Sequence, residues 1–218
     1  TSILWAVCAG LMGIIGLASL YKGLSLGETA LVASTAAVIG TAIPVVFSIF
    51  VDGLPAPARL VGFGLAFLGI WLVSRTADHT NHVTRQGLLL SILAGVAFGL
   101  FFILITRVEP GKVITPLLVS RSTALVTSFF LLKLNHQPIP KPAGYPFAWL
   151  SGVLDASGNL LFLVAKQFGS LDTVVVLSSM YPMFTILLAT WFLKEKISAG
   201  QWAGIFVCLA SIALIAVG

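Results

Sequence analysis

Five stretches of this chain carry no charged residue for at least 21 positions each: residues 1–21, 29–51, 86–106, 173–193 and 197–218. A helix needs ~20 residues to cross the ~30 Å of hydrocarbon in a bilayer, so each stretch suffices for one crossing. Three further apolar blocks, 57–74, 115–133 and 146–166, carry one or two interior or terminal charges and complete a set of eight spans. Exposed backbone polar groups are not tolerated in lipid, and the blocks lack the alternation of an outer-membrane barrel, so the spans are expected to be helices. The predicted fold class is therefore all-α, a polytopic transmembrane bundle of eight helices.

Composition closes the soluble alternative. Of 218 residues, 58% are apolar and 9% charged, against ~25% charged in an ordinary soluble domain. Too few polar side chains exist to cover a water-facing surface, which excludes a soluble enzyme or a nucleic-acid module. The net charge of +5 comes from basic residues scattered singly between apolar blocks, as flanks of membrane segments rather than a basic run. Cys8 and Cys208 both lie in apolar stretches, so neither a disulfide nor a Cys-based metal site is expected. The opening lacks the basic region and cleavage site of a signal peptide and reads as a chain whose beginning is missing.

The two ends of the sequence are similar to each other. Residues 59–73 fall on 201–215 at an offset of 142, and residues 24–29 fall on 168–173 at an offset of 144. Three helices ending at Ser74 thus match the last three, and the two helices between them have no counterpart ahead of the first. The division expected is a partial first repeat over 1–74 and a five-helix second repeat over 87–218. A five-helix unit reverses direction from copy to copy, giving the inverted symmetry that many secondary transporters use for alternating access.

The second half resembles the EamA-like half of the drug/metabolite transporter superfamily. The residues that carry the resemblance are Gly152, Asp155, Asn159 and Phe162, then the run Leu177-Ser178-Ser179-Met180-Tyr181-Pro182 with Thr185, and Glu195, Gln201, Trp202 and Gly204. Gly13 to Tyr21, Gly40 with Pro44, and Gly62 to Ser74 look like the corresponding stretches of a first half. The resemblance implies a ten-helix carrier of two five-helix repeats, whose first two helices are not found in this sequence, with the C-terminus in the cytoplasm. Where the family has Gly-Glu after its fourth helix, this chain has Asp52-Gly53.

Asp155 is the one carboxylate in mid-segment; nine residues past Pro146 it lies ~13 Å deep. A charge there costs ~2.5–3.5 kcal/mol on insertion scales, so it is expected to face inward with a partner. Asn159 shares its face at i+4. Arg121 enters from the opposite side, ~9 Å deep, within an extended side chain's reach of Asp155 if the helices touch. That pair reads either as a structural lock or as a substrate or proton site. Ser178, Tyr181, Pro182 and Thr185 form a polar stripe, and Pro182 frees the carbonyl of Ser178, as a kink or as a binding feature. Gly40, Thr41 and Pro44 suggest an analogous kink in the second helix. The series Ser91, Gly95, Gly99 and Gly10, Gly13, Gly16 read as packing seams, and Trp5, Phe98, Phe102 and Phe162 as aromatic residues available to line a pathway.

These features point to a secondary carrier of small metabolites or drugs, with proton coupling through Asp155 as a further expectation. The rivals are a polytopic membrane enzyme, a channel, or a non-transporting membrane interaction protein. Zinc, nucleophile-elbow and phosphate-loop signatures are absent, and Asp155 has no second carboxylate to form a dyad. Neither charged rings nor a filter-like segment marks a channel. No cofactor or metal is expected, although Asp78, His79 and His82 share a loop. The partners expected are a small-molecule substrate and the lipid bilayer of the cell membrane, with no nucleic acid; oligomeric state leaves no trace in the sequence. Seven cations on one side against four on the other would place the first side in the cytoplasm, opposite to the orientation that the resemblance implies.

Overall fold

The computed structural model describes residues 2–26, 29–74, 85–107, 113–134, 136, 146–188, 191 and 198–217; of residues 29–31, 34, 73, 74, 146, 181, 182, 185, 186, 216 and 217 it describes the backbone alone. The described chain is helical: α1 (Ser2–Ser25), α2 (Thr29–Asp52), α3 (Pro57–Ser74), α4 (Arg85–Thr106), α5 (Ile114–Leu134), α6 (Pro146–Phe168), α7 (Leu171–Ser178), α8 (Tyr181–Leu188) and α9 (Ala199–Val217). These are the eight expected spans, with the seventh divided in two. Five segments are long and apolar enough to cross a bilayer, and Pro57–Leu72 and Ala199–Ile215 are shorter apolar helices.

Local chemistry sets the helix ends. Gly53 takes φ +90 just past α2 and donates its N–H to the Ile49 carbonyl at 3.1 Å, a left-handed stop that a side chain would strain. Pro57 and Pro146 open α3 and α6, where a missing N–H costs nothing. At α9 the Ser198 N–H donates to Gln201 Oε1 at 2.9 Å and the Gln201 N–H to Ser198 Oγ at 3.3 Å, a reciprocal capping box.

The interruption between α7 and α8 follows from Pro182. Proline has no N–H to reach the Ser178 carbonyl, so the helical ladder lapses there and α7 ends at Ser178. The chain then tightens: the Met180 N–H donates to Leu177 O at 3.3 Å and the Met183 N–H to Met180 O at 3.0 Å. The expected kink is thus a break, with Pro182 in the first turn of α8. Its suggested counterpart in α2 differs: Pro44 is buried inside one uninterrupted helix, where Thr41 Oγ1 donates to Ala37 O at 2.7 Å.

Close helix approach rests on glycine. A methyl built on Gly95 would stand 2.7 Å from Ile39 Cβ and 2.9 Å from the Ala36 carbonyl oxygen, and one on Gly99 would stand 2.8 Å from Ile43 Cβ, so α4 lies tightly on α2. α3 and α9 meet through Gly62 beside Ile215 and Gly69 beside Cys208. Cys208 is buried and Cys8 exposed.

Two apolar clusters form the interior. One joins Val45, Phe63, Val176, Met180, Met183 and Ile205 from α2, α3, the broken span and α9. The other joins Ala9, Ile105, Phe162, Leu163, Val174 and Val175 from α1, α4, α6 and α7. Adjacent valines of α7 therefore belong to different clusters. α6 is mostly exposed along one side: Trp149, Val153, Leu154 and Leu161 are each 60% or more accessible, and nothing lies within 4 Å of a methyl built on Gly152 or Gly158.

Candidate functional site

An open cavity of about 170 Å³ lies among α1, α4, α5 and α6. Phe98, Phe101 and Phe102 form its aromatic wall; Arg121 and Ser120 come from α5, Asp155 and Asn159 from α6. Phe102 packs edgewise on Phe101 at 5.5 Å and tilted on Phe162 at 4.8 Å, which fixes its ring at the cavity margin.

The polar end is one connected cluster. Arg121 Nη1 lies 2.6 Å from Asp155 Oδ2, and Nη2 donates to the Asp155 carbonyl at 3.5 Å. Asn159 Nδ2 donates to the same carbonyl at 2.8 Å and to Asp155 Oδ1 at 3.2 Å. Each carboxylate oxygen thus has a donor, and the Asp155 carbonyl, free to accept beyond its helical bond, takes two more. The Ser120 hydroxyl donates to Leu117 O at 3.0 Å, leaving its oxygen able to accept. The pair is not sealed: the Asp155 side chain is 54% exposed and Arg121 33%. A solute entering the cavity meets a cation, an anion and an amide together, beside three aromatic rings.

Arg121 and Asp155 lie in contact, within the reach considered for them in the sequence, and Asn159 sits beside Asp155 as its i+4 spacing requires. The expectation that both charges point inward needs refinement, since Asp155 lines a cavity that is open. Ser178 is exposed at the end of α7 and does not line the cavity. The side chains of Tyr181, Pro182 and Thr185 lie outside the described residues, as does the loop with Asp78, His79 and His82. Of the aromatic residues considered for a pathway, Phe98 and Phe102 line the cavity, Phe162 supports Phe102 from behind, and Trp5 is 42% exposed on α1 away from it. Gly10, Gly13, Ile14, Leu17, Phe101, Ser120 and Ala124 complete the lining. Of these, only Gly10 and Gly13 stood out in the sequence, as packing residues.

Apolar spans, helix ends set by Gly and Pro, and charges held between helices define an integral, multi-pass helical membrane protein. Comparison with known proteins narrows the class. The sequence profile of the EamA-like transporter family matches residues 85–217, and the chain belongs to that family, membrane transporters of the drug/metabolite type. An uncharacterized protein of Methanocaldococcus jannaschii is 31% identical over 131 residues, 60% of this chain and 93% of that protein. A solved crystal structure superposes with a TM-score of 0.72 at 16% identity, covering 99% of this chain and 89% of the other, which shows a shared fold.

Proposed function

We propose that the chain is a secondary carrier that moves a small metabolite or drug across the cell membrane by alternating access, and that the cavity among α1, α4, α5 and α6 is its solute site. The observation that carries this reading is the Arg121–Asp155 pair joining two spanning helices in the wall of an aromatic-lined cavity. A charge pair serving only as a lock has no need of an open cavity beside it. The solute class that suits the lining has apolar bulk for Phe98, Phe101 and Phe102, and a polar group that competes for Arg121, Asp155 or Asn159. Asp155 couples the movement to protons: protonation releases Arg121 and loosens α5 from α6. The break between α7 and α8, with Ser178, Tyr181, Pro182 and Thr185 around it, is the joint at which the second repeat (87–218) moves against the first (1–74). Support for that division comes from α3 and α9, whose sequences align at an offset of 142 and which lie against each other. The activity is transport with the solute unaltered, without cofactor or metal, and with no nucleic acid bound.

Counterflow in proteoliposomes tests the proposal, because a carrier exchanges labelled for unlabelled solute without changing it. Loss of counterflow in Arg121→Ala is expected. In Asp155→Asn, uptake is expected to become insensitive to collapse of the pH gradient. Chemically altered solute, or counterflow undiminished in Arg121→Ala, would overturn the reading.

A further inference from the structure

Three glycines on α1 follow one another at every third position, yet their surroundings differ. A methyl on Gly10 would collide with the Ser120 carbonyl oxygen and stand 2.9 Å from Thr123 Cβ; one on Gly16 would stand 2.8 Å from the Phe98 ring. Both positions are buried, and packing demands that they have no side chain. Gly13 is not among the buried residues of α1. A methyl there would first meet Phe101 Cδ2 at 3.4 Å and then Cε2 at 3.8 Å, with no other atom of a neighbouring residue within 4 Å. The cavity's α1 wall is made by Gly10, Gly13, Ile14 and Leu17, and of its two glycines Gly13 is the one where helix packing leaves room for a side chain, that room being the cavity.

We infer that Gly13 sets the size of the solute that the cavity accepts. The inference rests on the carrier reading above for its meaning as selectivity, and the geometry gives it a scale. A methyl group is about the size of one water molecule, so Gly13→Ala takes a small part of a cavity of about 170 Å³. Valine adds two more carbons and leucine three more, so the space left for a solute shrinks in that order. Larger residues at this position convert an open site into a small one without moving α1 from its neighbours.

A reporter that needs no known solute decides the structural part. In a Cys8→Ala background, with buried Cys208 retained, Ala124→Cys places a thiol in the cavity wall, and its reaction with methanethiosulfonate ethylammonium is timed in detergent micelles. The rate is expected to fall stepwise through Gly13→Ala, Gly13→Val and Gly13→Leu, by about tenfold at the last. Gly13→Ala is expected to keep the parent's melting temperature, whereas Gly10→Ala lowers it. Equal rates across the series, or a Gly13→Ala protein as destabilised as Gly10→Ala, would overturn the inference.

Counterflow of glycine, leucine and tryptophan then decides the functional part: Gly13→Val is expected to lose the largest of the solutes that the parent carries and keep the smallest. Uniform loss of all three would count against size selection. Absence of counterflow for all three in the parent, alongside the stepwise labelling, would count against the carrier reading and leave the role of Gly13 in shaping the cavity standing.

Discussion

Replacing Gly95 by alanine is expected to destabilise the protein, whereas the same change at Gly152 is expected to leave it as stable or more so. At Gly95 the new methyl would stand 2.7 Å from Ile39 Cβ, about 0.7 Å inside the 3.4 Å at which ordinary contact begins, and 2.9 Å from the Ala36 carbonyl oxygen. One of these is backbone and the other is a branch point held by its helix, so neither yields by a rotamer change and α4 must shift from α2. Overpacking of this kind costs roughly 1–3 kcal/mol. Alanine recovers ~1 kcal/mol over glycine in a helix, which leaves a net loss of about 1 kcal/mol at the middle of that range. At Gly152 nothing lies within 4 Å, so only the favourable term remains. The two variants should therefore differ by about 2 kcal/mol in equilibrium unfolding by a denaturing detergent, with helicity followed by circular dichroism. Equal effects at both sites would refute the claim that α4 and α2 meet through Gly95.

A double-mutant cycle on Arg121→Gln and Asp155→Asn should yield a coupling of about 1 kcal/mol, toward the low end of the usual range because the pair is partly exposed; a coupling near zero would show that the ion pair does not form. Ser198→Ala removes the side-chain half of the α9 capping box and should cost about 1 kcal/mol in the same unfolding assay, with Gln201→Ala losing less than this again in the Ser198→Ala background because the two bonds are reciprocal. Pro182→Ala restores an N–H facing the Ser178 carbonyl, so amide exchange around Ser179 and Met180 should slow and counterflow should fall; unchanged exchange would mean that the break does not depend on the proline.

The spans were legible because charge in lipid is so costly that the charges mark the helix ends almost by themselves. The block expected at 57–74 is α3, and the charge-free stretch 86–106 differs from α4 by one residue. The Arg121–Asp155 contact was legible for a related reason, since a charge inside an apolar block calls for a partner and these two blocks each hold one interior charge, of opposite sign. The glycines of α1 were not. Three residues turn a helix by about 300°, so each step along Gly10, Gly13 and Gly16 drifts by about 60°, and the row cannot share one face. Which of them meets backbone, ring or open space depends on α4 and α5, and no spacing within α1 records that. Likewise Pro182 announces a disturbance upstream of itself, but whether the chain bends or breaks is settled by neighbours, as the uninterrupted helix around Pro44 shows.

α7 and α8 divide one crossing between the two interior clusters, with Val174 and Val175 lodged in one and Val176, Met180 and Met183 in the other. Val175 and Val176 are neighbours on one unbroken stretch of α7, so that helix pins the two clusters to each other, while the break at Ser179 and Met180 lies within the second cluster, between Val176 and Met183. A continuous rod would hold Met183 at a bearing to Val176 dictated by the helical screw. With the helix interrupted between them, α8 is free of that screw, and Met183 meets Val45, Phe63 and Ile205 at an angle set by packing.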